Sequence, residues 1–423
     1  VKAHLAALAL TWAGVAHAGV IGTTTTAAPL TEARVAGLDV TGQGPWRAYL
    51  ERSRALMAAD KATLAAERAG GTVPASAAAH LKGESGMPLD RPAAWYASAQ
   101  AAHVADNIVS WQTPAGGWGK NVDRGGPLRR RGEHYAPVDD DPAGGVVARA
   151  DGWSYVGTID NDATTTELRF LARAQAARQG PGGAAWRAAF VKGVRYLLDA
   201  QYPNGGFPQV YPLQGGYHDA ITYNDDALAT VVALLDAVAA REGDYAFVPA
   251  GLAAQAGAAA ERAVDVVLAS QIVAGGVLAG WCQQHDALTL APVGARNFEP
   301  AALSTAESAR LLSLLMRRPK PSARLVAAVD AGVAWLKRAA VYDVAWVRQA
   351  DGGRVLVARP GAGPIWPRMI DIATARPVFG DRDGTIHTDV NELSLERRSG
   401  YGWFGDRPAA ALADHARWTA RRP

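Results

Sequence analysis

Three times in this chain a helical stretch ends in a glutamine, a short turn holding two adjacent glycines, and an apolar residue. The copies are Gln112-Thr-Pro-Ala-Gly-Gly-Trp118, Gln201-Tyr-Pro-Asn-Gly-Gly-Phe207 and Gln271-Ile-Val-Ala-Gly-Gly-Val277. Glycine supplies the left-handed backbone that helix C-termini need, so each copy punctuates a helix. The helices ahead of the last two copies carry Trp186, Phe190, Val194 and Leu197, then Ala263, Val266, Val267 and Ser270, all at helical spacing. Alternate helices lie between them. Residues 227–241 carry Leu228, Val231, Leu235 and Val238, a run from Ser304 carries Leu311, Leu312 and Leu315, and another helix is predicted over 323–338. Residues 46–68 and 93–112 read as earlier helices. Helical pairs recurring about every 70–90 residues predict stacked antiparallel hairpins. The expected fold is therefore mainly all-α, an α/α toroid or barrel with a loop-rich cleft. One exception is a small β-hairpin near the C-terminus, where 344–348 and 354–359 flank an Asp-Gly-Gly turn ending at Gly353.

The chemistry concentrates ahead of two of the alternate helices. Thr158, Asp160, Asn161, Asp162 and Thr164 place five oxygen-bearing side chains in seven positions. Thr164 and Glu167 have capping-box spacing, as do Ser304 and Glu307. A single acid at such a place need only favour the helix dipole, but one cap does not need three carboxylate or amide groups in a row. Asn224, Asp225 and Asp226 precede the helix at 227, one helical pair further on. One rim of a toroid would bring the two clusters together. Asp160, Asn161 and Asp225, with Asp162 and Asp226 as further oxygens, suit a hard cation such as calcium. Nine dispersed histidines and one cysteine do not suit zinc. Paired acids also suit glycoside hydrolysis, with Asp160 and Asp225 as acid and base or nucleophile.

Arg296, Arg368 and Arg382 lie in polar loops, and guanidinium groups bind carboxylates bidentately. Each could equally be half of a structural ion pair, and Arg382 is flanked by Asp381 and Asp383. Trp118, Trp281, Trp366 and Trp403 sit in Gly- or Pro-containing loops, where an aromatic face either stacks on sugar or packs in the core. A formal net charge of +3 is far short of a nucleic-acid-binding stripe but compatible with an acidic polymer. The lone thiol, Cys282, leaves no internal disulfide and reads as a small buried residue rather than a nucleophile paired with His285.

Residues 1–18 read as a cleaved signal peptide, with Lys2, an apolar run too short to span a bilayer, and Ala16-His17-Ala18 before Gly19. Residues 19–42 then read as a flexible leader. No later run reaches spanning length, so an exported protein, secreted or periplasmic, with no membrane partner is expected. No oligomer signal is visible, and a monomer is expected. Residues 120–158 form a long polar segment of the kind that is functional or mobile.

Seven motifs occur in a fixed order: Gly116-Gly-Trp-Gly-Lys-Asn121, Thr158-Ile-Asp-Asn-Asp-Ala-Thr164, Gln201-Tyr-Pro-Asn-Gly-Gly206, Thr222-Tyr-Asn-Asp225, Trp281-Cys-Gln-Gln-His-Asp286, Arg296-Asn-Phe-Glu299 and Gly380-Asp-Arg-Asp-Gly384. Together they resemble the family 10 pectate lyases, over about residues 90–405. The resemblance implies that 43–423 is the catalytic domain, an α/α toroid performing calcium-dependent β-elimination on polygalacturonate. It implies Asp160, Asn161 and Asp225 at calcium positions, Arg296 as the base, and Lys120, Arg368 and Arg382 facing substrate carboxylates. The family usually has glycine where this chain has Asp162 and Asp226. Glycine there implies a left-handed backbone, which aspartate tolerates. The competing readings are a hydrolase using Asp160 and Asp225, and a binding module that uses the same cleft without turnover.

Overall fold

The computed structural model describes residues 19–77, 87–137, 153–178 and 183–422. The predicted signal peptide, residues 1–18, and the acids at 139–141 lie outside them. Helices α1 (Glu32–Ala36), α2 (Val40–Arg68) and α3 (Ala99–Trp111) come first. The helix expected over 93–112 is divided, because the Ser98 hydroxyl accepts from the Ala101 amide and starts α3 afresh. Then α4 (Thr165–Ala177), α6 (Ala227–Ala240) and α8 (Thr305–Met316) alternate with α5 (Ala184–Ala200), α7 (Ala250–Ala269) and α9 (Ala323–Arg338). The helices α10 (Leu395–Gly400) and α11 (Arg407–Ala420) follow. No helix among the described residues is long and apolar enough to cross a membrane.

Burial separates two layers. In α6 apolar residues are buried around nearly the whole helix, whereas α5, α7 and α9 each bury one stripe and leave the other face to water. The inner helices α4, α6 and α8 pack on one another in order, and each also packs on an outer helix of its own hairpin. This is the expected toroid of helical hairpins. The predicted hairpin is present as Val344–Arg348 paired antiparallel with Arg354–Ala358.

The glutamine motif works as a staple. Gln112 Nε2 donates to Gly116 O and, across the layer, to Ala189 O of α5, both at 2.9 Å. Gln201 repeats this on Gly205 O (2.9 Å) and Ala259 O of α7 (2.8 Å). Gln271 reaches Ala328 O of α9 at 2.9 Å, but its near partner is Ala279 O, because a short hairpin turning at Gly275 and Gly276 is inserted. Gly205 has φ +96, and a Cβ on it would overlap the carbonyl of Arg262. Gln201→Ala strands two buried carbonyls, so it should lower stability by about 3 kcal/mol, read as a lower denaturation midpoint with no change at the cleft.

The tryptophans settle as core. Trp118, Trp281 and Trp366 are buried and donate from Nε1 to Ile108 O, Val267 O and Leu336 O, each at 2.7 Å. Trp403 is buried too, with its Nε1 on Arg397 O. None of the four offers a face to sugar. Cys282 is buried, and His285 is fully used by backbone: its Nε2 accepts from the Cys282 amide and its Nδ1 lies 2.8 Å from Leu290 O.

The reading of 19–42 as a flexible leader is corrected. Val20–Thr23 pairs antiparallel with residues 385–387, Thr26 bridges Gly294, and Leu30 and Val35 are buried in the main core. The Leu30 amide donates to Asp219 at 3.0 Å, and Arg34 pairs with Asp286. Apolar Leu30 and Val35 sit too far apart to show periodicity, so the docking was invisible in sequence.

A belt of short antiparallel pairings runs over the N-termini of the inner helices. It joins Thr158 to Val210, Pro208 to Ile221, Ile221–Thr222 to Gln284–His285, Trp281 to Ser304, and Leu303–Ser304 to Met369–Ile370. These pairings fix the segments that carry Asp160, Asp225 and Arg368.

Candidate active site

The two acidic loops have the same backbone. Ile159 and Tyr223 have φ/ψ of −108/4 and −105/−10, and Asn161 and Asp225 have 50/41 and 48/38. Asp162 and Asp226 follow at φ +60 and +64. Two successive left-handed non-glycine residues in each loop are uncommon and costly, and such strain gathers at functional sites. The positions where glycine is usual are therefore left-handed, as the sequence implied, and aspartate holds them. Asp226 lies 3.5 Å from Arg407 and 3.7 Å from Arg310, which tie its loop to α11 and α8.

Neither capping box forms. Thr164 has φ +64, and its hydroxyl donates to Thr158 O (2.8 Å) and accepts from the Trp118 amide (3.2 Å). Glu167 instead forms a fully buried ion pair with Arg124 at 2.8 Å. Ser304 lies in the strand belt, and its hydroxyl donates to the Glu307 carboxylate rather than capping α8. Glu307 is spent on Arg368, 2.7 Å away.

Asp160 is held from both sides, by Lys120 Nζ at 3.0 Å and Gln209 Nε2 at 2.8 Å. Burial alone would push its carboxyl up, but Lys120, Gln209 and Arg296 outweigh this and keep it below the ordinary aspartate range. Lys120 in turn sits 3.4 Å above the Tyr155 ring. The Tyr155 hydroxyl lies 3.1 Å from His218 Nε2, and burial beside Lys120 lowers the His218 imidazole to about 4, so it is neutral.

Asp225 goes the other way. Burial raises it, with Asp160 and Glu307 adding to the rise against Arg368, to about 6. Its side chain keeps 43% of its surface open, so water moderates the shift. Asn224 is the buried member of this loop; its Nδ2 donates to Asp225 at 2.8 Å and its Oδ1 accepts from Arg368 at 3.3 Å. The fold thus brings Asp160, Asp225, Lys120 and Arg368 into one charge-coupled group, and Asn161 follows Asp160 in the first loop at φ +50.

Arg296 forms a bidentate pair with Glu299, Nε to Oε2 at 2.7 Å and Nη2 to Oε1 at 2.5 Å. Tyr401 also donates to Glu299, at 2.8 Å. Burial would lower the Arg296 guanidinium, but Glu299 more than offsets it and raises it well above its usual value. Arg382 pairs bidentately with Glu396, at 2.9 and 3.0 Å, and lies near the Phe298 ring, as Arg296 does. Every cation singled out in the sequence therefore has a carboxylate partner. Glu299 was three residues from Arg296 and legible as a partner; Glu307 was read only as half of a capping box, and Glu396, Tyr155 and His218 gave no sequence signal.

Calcium takes six to eight oxygens. Among the described residues no three His, Cys, Asp or Glu side chains form a metal cluster. The donor types still fit a hard cation, because two carboxylates lie close enough for Asp160 to raise Asp225, and that repulsion marks a place that favours positive charge. A protein shell this incomplete leaves coordination positions to water and to a ligand.

Residues 112–412 match the model of the pectic acid lyase family. A family 10 polysaccharide lyase from Cellvibrio cellulosa is similar in structure, with 31% identity and a TM-score of 0.66, covering 81% of this chain and 99% of that one. An Asp-to-Ala variant of a family 10 polysaccharide lyase from the same organism, in complex with trigalacturonic acid, is similar at 31% identity and a TM-score of 0.65, covering 80% and 99%. Among curated proteins no match was found.

Proposed function

The chain belongs to the pectic acid lyase family and is a polysaccharide lyase, and from this we propose that it cleaves polygalacturonate by calcium-dependent β-elimination. The observation that carries the reading is the meeting of Asp160 and Asp225 with Lys120, Arg296 and Arg368 at the rim of the inner helices. The trigalacturonic acid held by the Cellvibrio relative supports the substrate class.

Elimination takes the C5 proton, α to the uronate carboxylate. The C5–H electron pair becomes the C4–C5 double bond, the C4–O bond breaks, and the departing oxygen takes a proton from water. Negative charge grows on the carboxylate, so cations aimed there lower the barrier. Asp160, Asn161 and Asp225 would hold calcium, whose charge polarises that carboxylate when bound. Lys120 and Arg368 add fixed positive charge, and Tyr155 steadies the Lys120 ammonium from below. Arg296 is assigned as the group that takes the C5 proton. Its pair with Glu299 favours a second reading, in which Arg296 stays cationic and neutralises the developing carbanion. Export to the periplasm or medium, where polymeric pectate is met, and action as a monomer complete the proposal.

Hydrolysis by Asp160 and Asp225, one acid lowered and the other raised, is the reading that membership of a lyase family disfavours. The test is ultraviolet absorbance of unsaturated product on polygalacturonate at alkaline pH, with calcium and then with a chelator. A rise that the chelator stops is expected. New reducing ends without absorbance would transfer the reaction to hydrolysis, and binding with neither signal would leave a binding module.

A further inference from the structure

Four cation–carboxylate pairs surround the proposed cleft, and one differs from the rest. The carboxylate partners Asp160, Glu299 and Glu307 keep only 7%, 4% and 1% of their side-chain surface open. Glu396, the partner of Arg382, keeps 52%. The first three carboxylates are enclosed by protein and cannot turn into water without opening their surroundings. Glu396 reaches water, but the buried Arg397 shares its carboxylate, so Glu396 leaves only as another anion takes its place.

Glu396 also sits in a place built for an anion. Its two oxygens take the Arg382 fork, Nε to Oε2 at 2.9 Å and Nη2 to Oε1 at 3.0 Å. The Arg397 fork grips the same carboxylate, through Nε at 2.5 Å and through Nη2. Arg397 and Arg382 lie 4.1 and 4.9 Å from the centre of the buried Phe298 ring, and Arg296 lies 4.7 Å from that centre. The paired arginines thus share the Phe298 ring with the proposed proton acceptor.

We propose that Glu396 is a built-in stand-in for a substrate uronate: its carboxylate occupies the Arg382 fork and leaves when a galacturonate carboxylate binds there. The inference rests on the reading of Arg382 as a substrate residue. Its consequence is selectivity. An ionised uronate can replace one carboxylate with another at little electrostatic cost, whereas a methyl-esterified residue cannot replace it. Glu396 therefore weakens binding of the correct polymer modestly and denies this subsite to the neutral ester.

The Arg382 segment does not depend on Glu396 for its place. The Arg382 carbonyl accepts from Asn297, its amide donates to Asp381 at 2.7 Å, and Asp381 accepts from the Ser394 hydroxyl at 2.6 Å. Removing the Glu396 charge should leave this frame standing.

The test is steady-state kinetics at low ionic strength for the wild type, Glu396→Gln, Arg382→Ala and the double variant, on polygalacturonate and on increasingly esterified pectin. Thermal melts verify that each variant is folded, and Glu396→Ala serves as a second removal of the charge. Arg382→Ala is expected to raise KM several-fold. Glu396→Gln and Glu396→Ala are expected to lower KM about threefold or more on polygalacturonate, less on esterified pectin, and not at all in the Arg382→Ala background. If Arg382→Ala raises KM while neither Glu396 variant lowers it, Glu396 is only a counter-ion and the inference fails. If Arg382→Ala leaves KM unchanged, the substrate reading of Arg382 fails first and takes the inference with it.

Discussion

Arg296→Ala is expected to lower kcat on polygalacturonate by about a thousandfold, the middle of the range for a proton-transfer group, while oligogalacturonate and calcium still bind. The size of the effect does not say why, because the same loss follows if Arg296 only neutralises charge. The two roles make opposite demands on its protonation. Arginine is cationic throughout the accessible pH range, and here Glu299 holds it more firmly so, with both carboxylate oxygens on one guanidinium edge. A base must pass through the neutral form. That form becomes reachable only if the Glu299 pair loosens and other cations crowd the site when substrate is bound.

Arg296→Lys separates the roles. Lysine keeps the charge but gives up its proton near 10.4, well below arginine. If Arg296 is the base, the lysine variant retains activity and the rising limb of its pH–rate profile moves to lower pH. If Arg296 is only a cation, the lysine variant keeps the wild-type profile at reduced height. Glu299→Gln sharpens the comparison. Losing the carboxylate lowers the guanidinium pKa, so the base reading predicts a rising limb shifted to lower pH. The cation reading predicts a loss at every pH. Tyr401 and Arg368 remain beside position 299, so the substituted amide still has polar neighbours.

The repeat that organises this fold was legible because it is local. A glutamine, two glycines and an apolar residue sit within seven positions, and the hydrogen bonds from Gln112 and Gln201 confirm what the spacing implied. The inner and outer helices followed from periodicity. The left-handed sites at Asp162 and Asp226 followed from the resemblance, whose family usually has glycine at both positions. What the sequence misassigned were groups with more than one possible partner. Thr164 and Ser304 have the spacing of caps, yet their hydroxyls and the glutamates three residues on are recruited by the strand belt and by distant arginines. An ion pair such as Lys120 with Asp160 spans forty positions, so it exists only once the toroid closes. The cations could be named from sequence. Of the carboxylates that set their charge, Asp160 and Glu307 were named but not as ion-pair partners, and Glu396 was not named at all.

The second large effect concerns the metal, and two substitutions should move it in opposite directions. Asp225→Asn removes one of the two carboxylates that face each other. Cation affinity in oxygen sites follows the number of charged ligands, so the calcium needed for half-maximal rate should rise at least about tenfold. Direct calcium titration of the ligand-free protein should show the same weakening. Lys120→Ala acts through Asp160, where the ammonium holds one oxygen at 3.0 Å. Removing it frees that oxygen and deletes a repelling charge, so calcium should bind more tightly in the titration. Turnover should nevertheless fall, because the cation proposed to face the uronate has gone. A variant that binds metal better and works worse is not expected from general damage to the loop, which would weaken both. If Lys120→Ala weakens calcium as Asp225→Asn does, Asp160 is not a metal ligand, and its role is to position Lys120.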